Sequence, residues 1–152
     1  MKVRTAGWVF GLWCLCLGMQ LTGCGWAGTD TAVLVETEEG TVEIESSDSG
    51  MQLEQTEDGF SVTCQGQTVD GTLISSLDAD VLNANAYETD GYSVISVDDQ
   101  IGFAFSSGED PVVYSHVIPV ADADVSVRLD STSGGDILYT VESALTFTGK
   151  GE

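Results

Sequence analysis

The stretch that decides the fold reads MQLEQTEDGFSVTC over residues 51–64. Apolar and polar residues alternate on both sides of a central Asp58-Gly59 pair, and the apolar ones are Met51, Leu53, Phe60, Val62 and Cys64. A period of two is typical of β-strands with one dry face and one wet face. Asp-Gly accommodates the positive φ angles of a tight hairpin turn, so the segment predicts two antiparallel strands. Cys64 is expected to pack in the core as a small apolar side chain.

The same alternation continues along the chain from Thr31, interrupted by clusters of Gly, Asp and Ser. A second Asp-Gly pair, Asp90-Gly91, predicts a hairpin that joins Tyr87 to Tyr92. Further strands are predicted over residues 41–45, 93–97, 100–105, 112–120, 125–129 and 137–148. Turn signals about every ten residues favour a mainly β, single domain over residues 31–149, an antiparallel sandwich or a barrel-like sheet.

One stretch departs from this pattern and predicts a short helix over residues 76–85. Leu73, Leu77 and Val81 recur every four residues, and Ser75 stands three residues before Asp78, the spacing of a helix N-cap. An α+β fold with this one helix is therefore the architectural alternative.

The composition is strongly acidic, with 25 Asp and Glu against 4 Lys and Arg and a formal net charge of -21. Nucleic acid is excluded as a partner, because neutralising phosphates requires basic residues that the chain lacks. A hydrophobic content of 42% still argues for a folded domain, since disordered chains lack that apolar share.

The first 24 residues have the three parts of an export signal. Lys2 and Arg4 precede an apolar stretch over residues 6–19, which is shorter than the roughly 20 residues of a membrane span, and Leu21-Thr22-Gly23-Cys24 follows. This ending resembles the lipobox of bacterial lipoproteins.

The resemblance implies that residues 1–23 are a signal peptide that is removed and that Cys24 carries a diacylglycerol with palmitate-type acyl chains. Residues 24–30 would then be the lipidated cysteine and a short tether, which reaches at most about 20 Å when extended. The domain would lie on the extracytoplasmic face of the cell membrane or outer membrane, attached through its lipid. An ordinary secretory signal and an uncleaved anchor remain the alternatives.

Candidates for catalysis are few. His116 is the only imidazole, and it shares a predicted strand face with Tyr114 and Ile118, which indicates a strand histidine partly covered by its neighbours. The segment STSGGD over residues 131–136 lacks nucleophile-elbow spacing and reads as a loop. One histidine and one free cysteine, Cys64, in the mature chain cannot supply a zinc site. We therefore expect no enzyme activity.

Calcium is the one cofactor that the sequence keeps open, because calcium prefers oxygen ligands. The candidate ligands are Asp78, Asp80, Asp130 and Asp136, although solvated loops explain these carboxylates better in a chain this acidic.

These observations predict a membrane-anchored cell-envelope lipoprotein whose extracytoplasmic domain has a non-catalytic binding or structural role. The expected partner is an envelope protein or a glycan, met through exposed aromatic side chains. Four tyrosines are the candidates, namely Tyr87, Tyr92, Tyr114 and Tyr139. An enzyme that acts on envelope polymers with paired carboxylates and a calcium-stabilised surface module are the alternatives.

Overall fold

Residues 31–89 and 91–150 are described by a computed structural model, in which ten strands and two helices form a sandwich of two antiparallel sheets. The predicted β-sandwich is confirmed. The strands are β1 Thr31–Thr37, β2 Gly40–Ser46, β3 Gln52–Gln55, β4 Gly59–Cys64, β5 Gln67–Ser75, β6 Ser93–Val97, β7 Gln100–Ser107, β8 Val113–Pro119, β9 Val125–Ser131 and β10 Leu145–Gly149. The helices are α1 Ser76–Ala86 and α2 Asp136–Ala144.

The larger sheet has seven strands in the order β3-β4-β5-β9-β8-β7-β6, and the smaller sheet has the order β10-β2-β1. Two antiparallel meanders, β3 to β5 and β6 to β9, are joined side by side through β5 and β9, where Leu73 pairs with Val127 and Gly71 with Leu129. Helix α1 makes the connection between the two meanders. Strand β8, which contains His116, therefore lies near the middle of the larger sheet.

The hairpin predicted over residues 51–64 is confirmed. Gln55 pairs with Phe60 across the turn, and the N–H of Thr56 donates to the carbonyl oxygen of Gly59 at 2.9 Å. The ring of Phe60 lies directly over Gly71 on β5, where an added Cβ would come within 2.2 Å of the ring. Glycine is required at residue 71 because this aromatic ring occupies the space of a side chain.

The main core lies between the two sheets and under α2. Its members alternate with exposed or half-buried residues along strands such as β2 and β5, as the period-two pattern predicts, whereas β7 and β8 each bury four consecutive residues. Cys64 is buried in this core as expected. The fully buried side chains include Val35, Val42, Ile44, Met51, Phe60, Val62, Val69, Ile118, Leu129, Leu138 and Leu145.

The predicted helix is confirmed as α1, and its cap is the predicted one. The N–H of Asp78 donates to the hydroxyl of Ser75 at 3.0 Å. Its buried face differs from the expectation, because Leu77 and Val81 are 72% and 54% exposed. Small residues, Ala79 and Ala86, instead face the sheet and let the helix approach a second apolar cluster, formed by Phe103, Phe105 and Val117.

The strand predicted over residues 137–148 is wrong in its first part. Residues Asp136–Ala144 form α2, and only Leu145–Gly149 form a strand, β10. The spacing of the residues that α2 buries, which are Ile137, Leu138, Val141 and Glu142, is helical. Ile137, Tyr139 and Val141 also alternate in sequence, so a strand and a helix both fit the local pattern.

The hairpin predicted at Asp90-Gly91 is also wrong. Tyr87 is the C-cap of α1, and its N–H donates to the carbonyl oxygen of Asn83 at 3.0 Å. The segment from Tyr87 to Tyr92 therefore connects a helix to β6, and Gly91 supplies the positive φ of +86° in that connection.

Neither of the two helices in residues 31–89 and 91–150 has the length and apolar character needed to cross a membrane.

Candidate functional site

The strongest candidate site is built around His116 in the middle of β8. This residue pairs with Leu129 on β9 and with Ala104 on β7, and it shares its sheet face with Tyr114 and Ile118 as predicted. Its side chain is only 3% exposed, so it is more deeply buried than the partial cover expected from sequence. The covering element is α2.

Glu142 on α2 is the partner of this histidine. Oε1 of Glu142 contacts Nδ1 of His116, and the carboxylate is itself only 7% exposed. A buried carboxylate is costly unless it is paired and hydrogen-bonded, so the two side chains depend on each other. Glu142 lies beside Val141 on the face of α2 that packs into the core, which holds the contact in place.

The contact with Glu142 affects whether the other ring nitrogen of His116, Nε2, donates or accepts a hydrogen bond. When the imidazole is neutral, an Nδ1–H that donates to Glu142 leaves Nε2 as an acceptor. Within the described residues, Nε2 of His116 has no hydrogen-bond partner, whereas Nδ1 has Glu142. A buried polar atom without a protein partner is uncommon and is typically satisfied by water or a ligand.

His116 lines a cavity of about 270 Å³ that we name the His116 notch. Ala104 lies between Ser93 and His116 in the strand register, and its methyl group leaves the space open. The ring of Tyr139 stands edge-on to His116, with 4.6 Å between the centroids and an interplanar angle of 75°. Tyr114 supplies a further aromatic wall.

Polar side chains complete the lining of the notch. Ser93 and Ser106 contribute hydroxyl groups, and Asp136, the first residue of α2, contributes a carboxylate. Within the notch lining, the Asp136 carboxylate is an acceptor, Nε2 of a neutral His116 imidazole is a second one, and the hydroxyls can donate or accept. The lining therefore combines aromatic faces with neutral and acidic hydrogen-bonding groups.

A second cavity of about 340 Å³ adjoins the notch. The two cavities share Tyr114, Gly135 and Asp136, and the Tyr114 ring packs so closely on Gly135 that an added Cβ would lie 3.4 Å from it. The adjacent cavity is otherwise uncharged and mainly polar, lined by Ile137 and by polar side chains, namely Gln65, Gln67, Ser133 and Thr140. Together the two cavities suit an elongated ligand better than a compact one.

The residues of the segment 131–136 lie in different places and do not form one site. Ser131 is buried at the end of β9, where its hydroxyl accepts from the N–H of Ser133 at 3.0 Å, and Asp136 reaches the notch. Among the hydrogen bonds of the described residues, none joins a serine or threonine hydroxyl to His116.

The calcium candidates are dispersed. Asp78 and Asp80 are exposed on α1, and Asp130 on β9 accepts from Arg128 Nε at 3.0 Å and from the Ser115 hydroxyl at 2.5 Å. Asp136 lies at the His116 notch. Within residues 31–89 and 91–150, no three or more His, Cys, Asp or Glu side chains are grouped so that they could hold a metal ion.

The four candidate tyrosines fall into two pairs. Tyr87 and Tyr92 contact each other edge-on, and Tyr92 stacks on Phe103 in the second apolar cluster beneath α1. Tyr114 and Tyr139 line the notch. Sequence reasoning found all four but missed Glu142. The available signal was the helical spacing of the apolar residues in 136–144. Interpreting these residues as a helix would have placed Glu142 on the buried face.

The predicted lipid attachment at Cys24 lies outside the described residues. Comparison of the chain with protein-family models, with curated proteins and with solved structures finds no match.

Proposed function

We propose that the protein is a bacterial cell-envelope lipoprotein, anchored through a diacylglycerol on Cys24, whose sandwich domain is a non-catalytic binding module on the extracytoplasmic face of the membrane. The observation that carries the anchoring is the sequence Leu21-Thr22-Gly23-Cys24 behind a short apolar stretch, with the first strand beginning soon afterwards at Thr31. Two acyl chains give stable attachment, whereas one gives marginal, reversible binding.

The charge of the chain fits this placement. All 25 acidic residues follow Cys24, and only Arg128 and Lys150 are basic there. An anionic bilayer surface repels such a domain over roughly one Debye length, about 8 Å at physiological salt. The lipid would therefore hold the domain near the membrane while its charge keeps the domain from lying flat on it.

A binding role is supported by the His116 notch. Its histidine is fixed by Glu142 and makes no hydrogen bond to a hydroxyl nucleophile within the described residues, whereas nucleophilic catalysis by serine needs that contact. Its aromatic walls and converging polar groups are the features of a ligand site.

Replacement of Cys24 by Ala tests the anchor. We expect the parent protein in the membrane fraction, released by detergent, and the Cys24→Ala variant in the soluble fraction of the envelope or the medium. Cys16→Ala is the matched control, because it removes a cysteine from the signal region and leaves the lipobox intact. Its fractionation should equal that of the parent.

Intact mass spectrometry of the parent gives the second readout. A mature chain that begins at a lipid-modified Cys24 supports the proposal. A Cys24→Ala variant that stays as membrane-bound as the parent, or a mature chain that begins elsewhere, overturns it.

A further inference from the structure

We propose that the His116 notch binds an uncharged, hydroxyl-rich sugar unit, and that the adjacent cavity receives the next unit of the same glycan. This inference rests on the binding role proposed above and names the ligand class for that role.

The hydrogen-bonding groups of the notch call for a ligand that donates. In a neutral imidazole whose Nδ1–H donates to Glu142, Nε2 of His116 is an acceptor without a protein partner in the described residues, and the carboxylate of Asp136 accepts only. The hydroxyls of Ser93 and Ser106 adapt to either role. A sugar carries several O–H donors on one ring, so it can meet the imidazole and the carboxylate together.

The aromatic walls supply the second element of sugar recognition. Tyr139 is 48% exposed even though its ring packs edge-on against the buried His116. An exposed ring held in place by a buried neighbour offers a rigid apolar surface, which suits the C–H face of a pyranose. Tyr114, which is half-buried, borders both cavities and can contact two successive units.

The charge of the lining decides between neutral and anionic sugars. No Lys or Arg lines either cavity within the described residues, and the chain as a whole carries a formal charge of -21. An anionic sugar would meet Asp136 without any compensating cation. The adjacent cavity presents the neutral amides of Gln65 and Gln67, which favours a neutral, polar chain over a cationic peptide.

Ligand-observed saturation-transfer NMR on the full chain, purified in a polyoxyethylene detergent that contains no sugar, tests the proposal. The probes are neutral tetrasaccharides of glucose, mannose, galactose and N-acetylglucosamine, with a lysine-rich peptide as the cationic comparison. We expect saturation transfer to at least one tetrasaccharide at about 10 mM, which is well above the Kd of about 1 mM of a weak site.

Two tyrosine variants locate the binding. Tyr139→Ala should weaken affinity for the responding sugar by roughly tenfold, the size of one strong aromatic contact. Tyr87→Ala is the matched control, because Tyr87 is 69% exposed and packs on Tyr92, outside the notch. It should leave the affinity unchanged, and thermal melting of both variants should show that they remain folded.

Three results overturn the proposal: no transfer to any tetrasaccharide, transfer to the peptide alone, or an equal loss of affinity in Tyr87→Ala and Tyr139→Ala. The outcome is separate from that of the anchoring test. A chain without lipid on Cys24 can still bind the sugar, and a lipidated chain can fail to bind it.

Discussion

The pair formed by His116 and Glu142 should be the most strongly coupled side-chain interaction in the domain. Their side chains are only 3% and 7% exposed, so removing one leaves the other without its partner in the core. Leaving a buried hydrogen-bonding group unsatisfied costs about 1–3 kcal/mol, and more when that group is charged, while replacing both partners by apolar groups of the same shape is near neutral or stabilising. We therefore expect His116→Leu, which leaves a buried carboxylate without its partner, to destabilise by about 3 kcal/mol or more and Glu142→Leu by about 1–3 kcal/mol, and the double variant to recover most of the summed loss.

Urea unfolding followed by far-UV circular dichroism measures the effect. For a domain of this size, a loss of about 3 kcal/mol is a large part of the typical 5–15 kcal/mol, so the midpoint should fall clearly while the slope m stays constant. Glu142→Leu also removes one negative charge from an acidic chain, which by itself relieves repulsion. Glu45→Leu controls for that effect, because Glu45 is exposed on β2. Single variants that each cost less than about 1 kcal/mol, or a double variant with the sum of the two single losses, would refute the reasoning.

Three further predictions follow from the packing. Gly71→Ala should destabilise the domain by about 1–3 kcal/mol, because the added Cβ would meet the Phe60 ring, and the loss should be smaller in a Phe60→Leu background. Calorimetric melting measures both losses, and equal losses in the two backgrounds would argue against this clash. Leu77→Gln should change the stability by no more than about 0.5 kcal/mol, because residue 77 faces solvent, whereas Ala79→Leu should lower the stability by at least about 1 kcal/mol, because residue 79 faces the sheet. Urea unfolding measures both changes, and the reverse order would contradict this orientation of the helix. The melting temperature should be the same in millimolar calcium and in chelator, because the described residues form no carboxylate cluster, and a rise of several degrees with calcium would point to a site.

Much of the fold could be predicted from local pattern. The 51–64 hairpin combines strict alternation with an Asp-Gly turn, and both signals depend only on neighbours in sequence. The cap between Ser75 and Asp78 is equally local, so the start of α1 was placed correctly. The strands near residues 93–97 and 100–105 follow from the same alternation.

The error over residues 137–148 arose because two periodicities fit this one stretch. Ile137, Tyr139 and Val141 alternate as in a strand, yet Ile137, Leu138, Val141 and Glu142 also lie on one face of a helix. Packing over the larger sheet selects the helix, because it buries Leu138 and Val141 completely in the main core. In α1, packing changed the buried face and not the type of element. The sheet admits only small side chains beneath this helix, so the large Leu77 faces outward.

The candidate site could be predicted only in part. His116 and the tyrosines are visible in the sequence as scarce residue types, but the partner of His116 is 26 residues away and sits on an element that the local pattern assigns wrongly. The notch also depends on Ala104, whose small side chain leaves space for a cavity. It lines this cavity only because strand pairing places it between Ser93 and His116.

The sequence by itself determined the alternating strands, the hairpin at Asp58-Gly59, the capped helix and the burial of Cys64, because each follows from the period and chemistry of neighbouring residues. Only the tertiary structure decided that residues 136–144 are helical, that Glu142 meets His116 and that Tyr114 and Tyr139 enclose a cavity. These features depend on which surfaces distant segments bury against each other, and that choice is made by the packing of the whole domain.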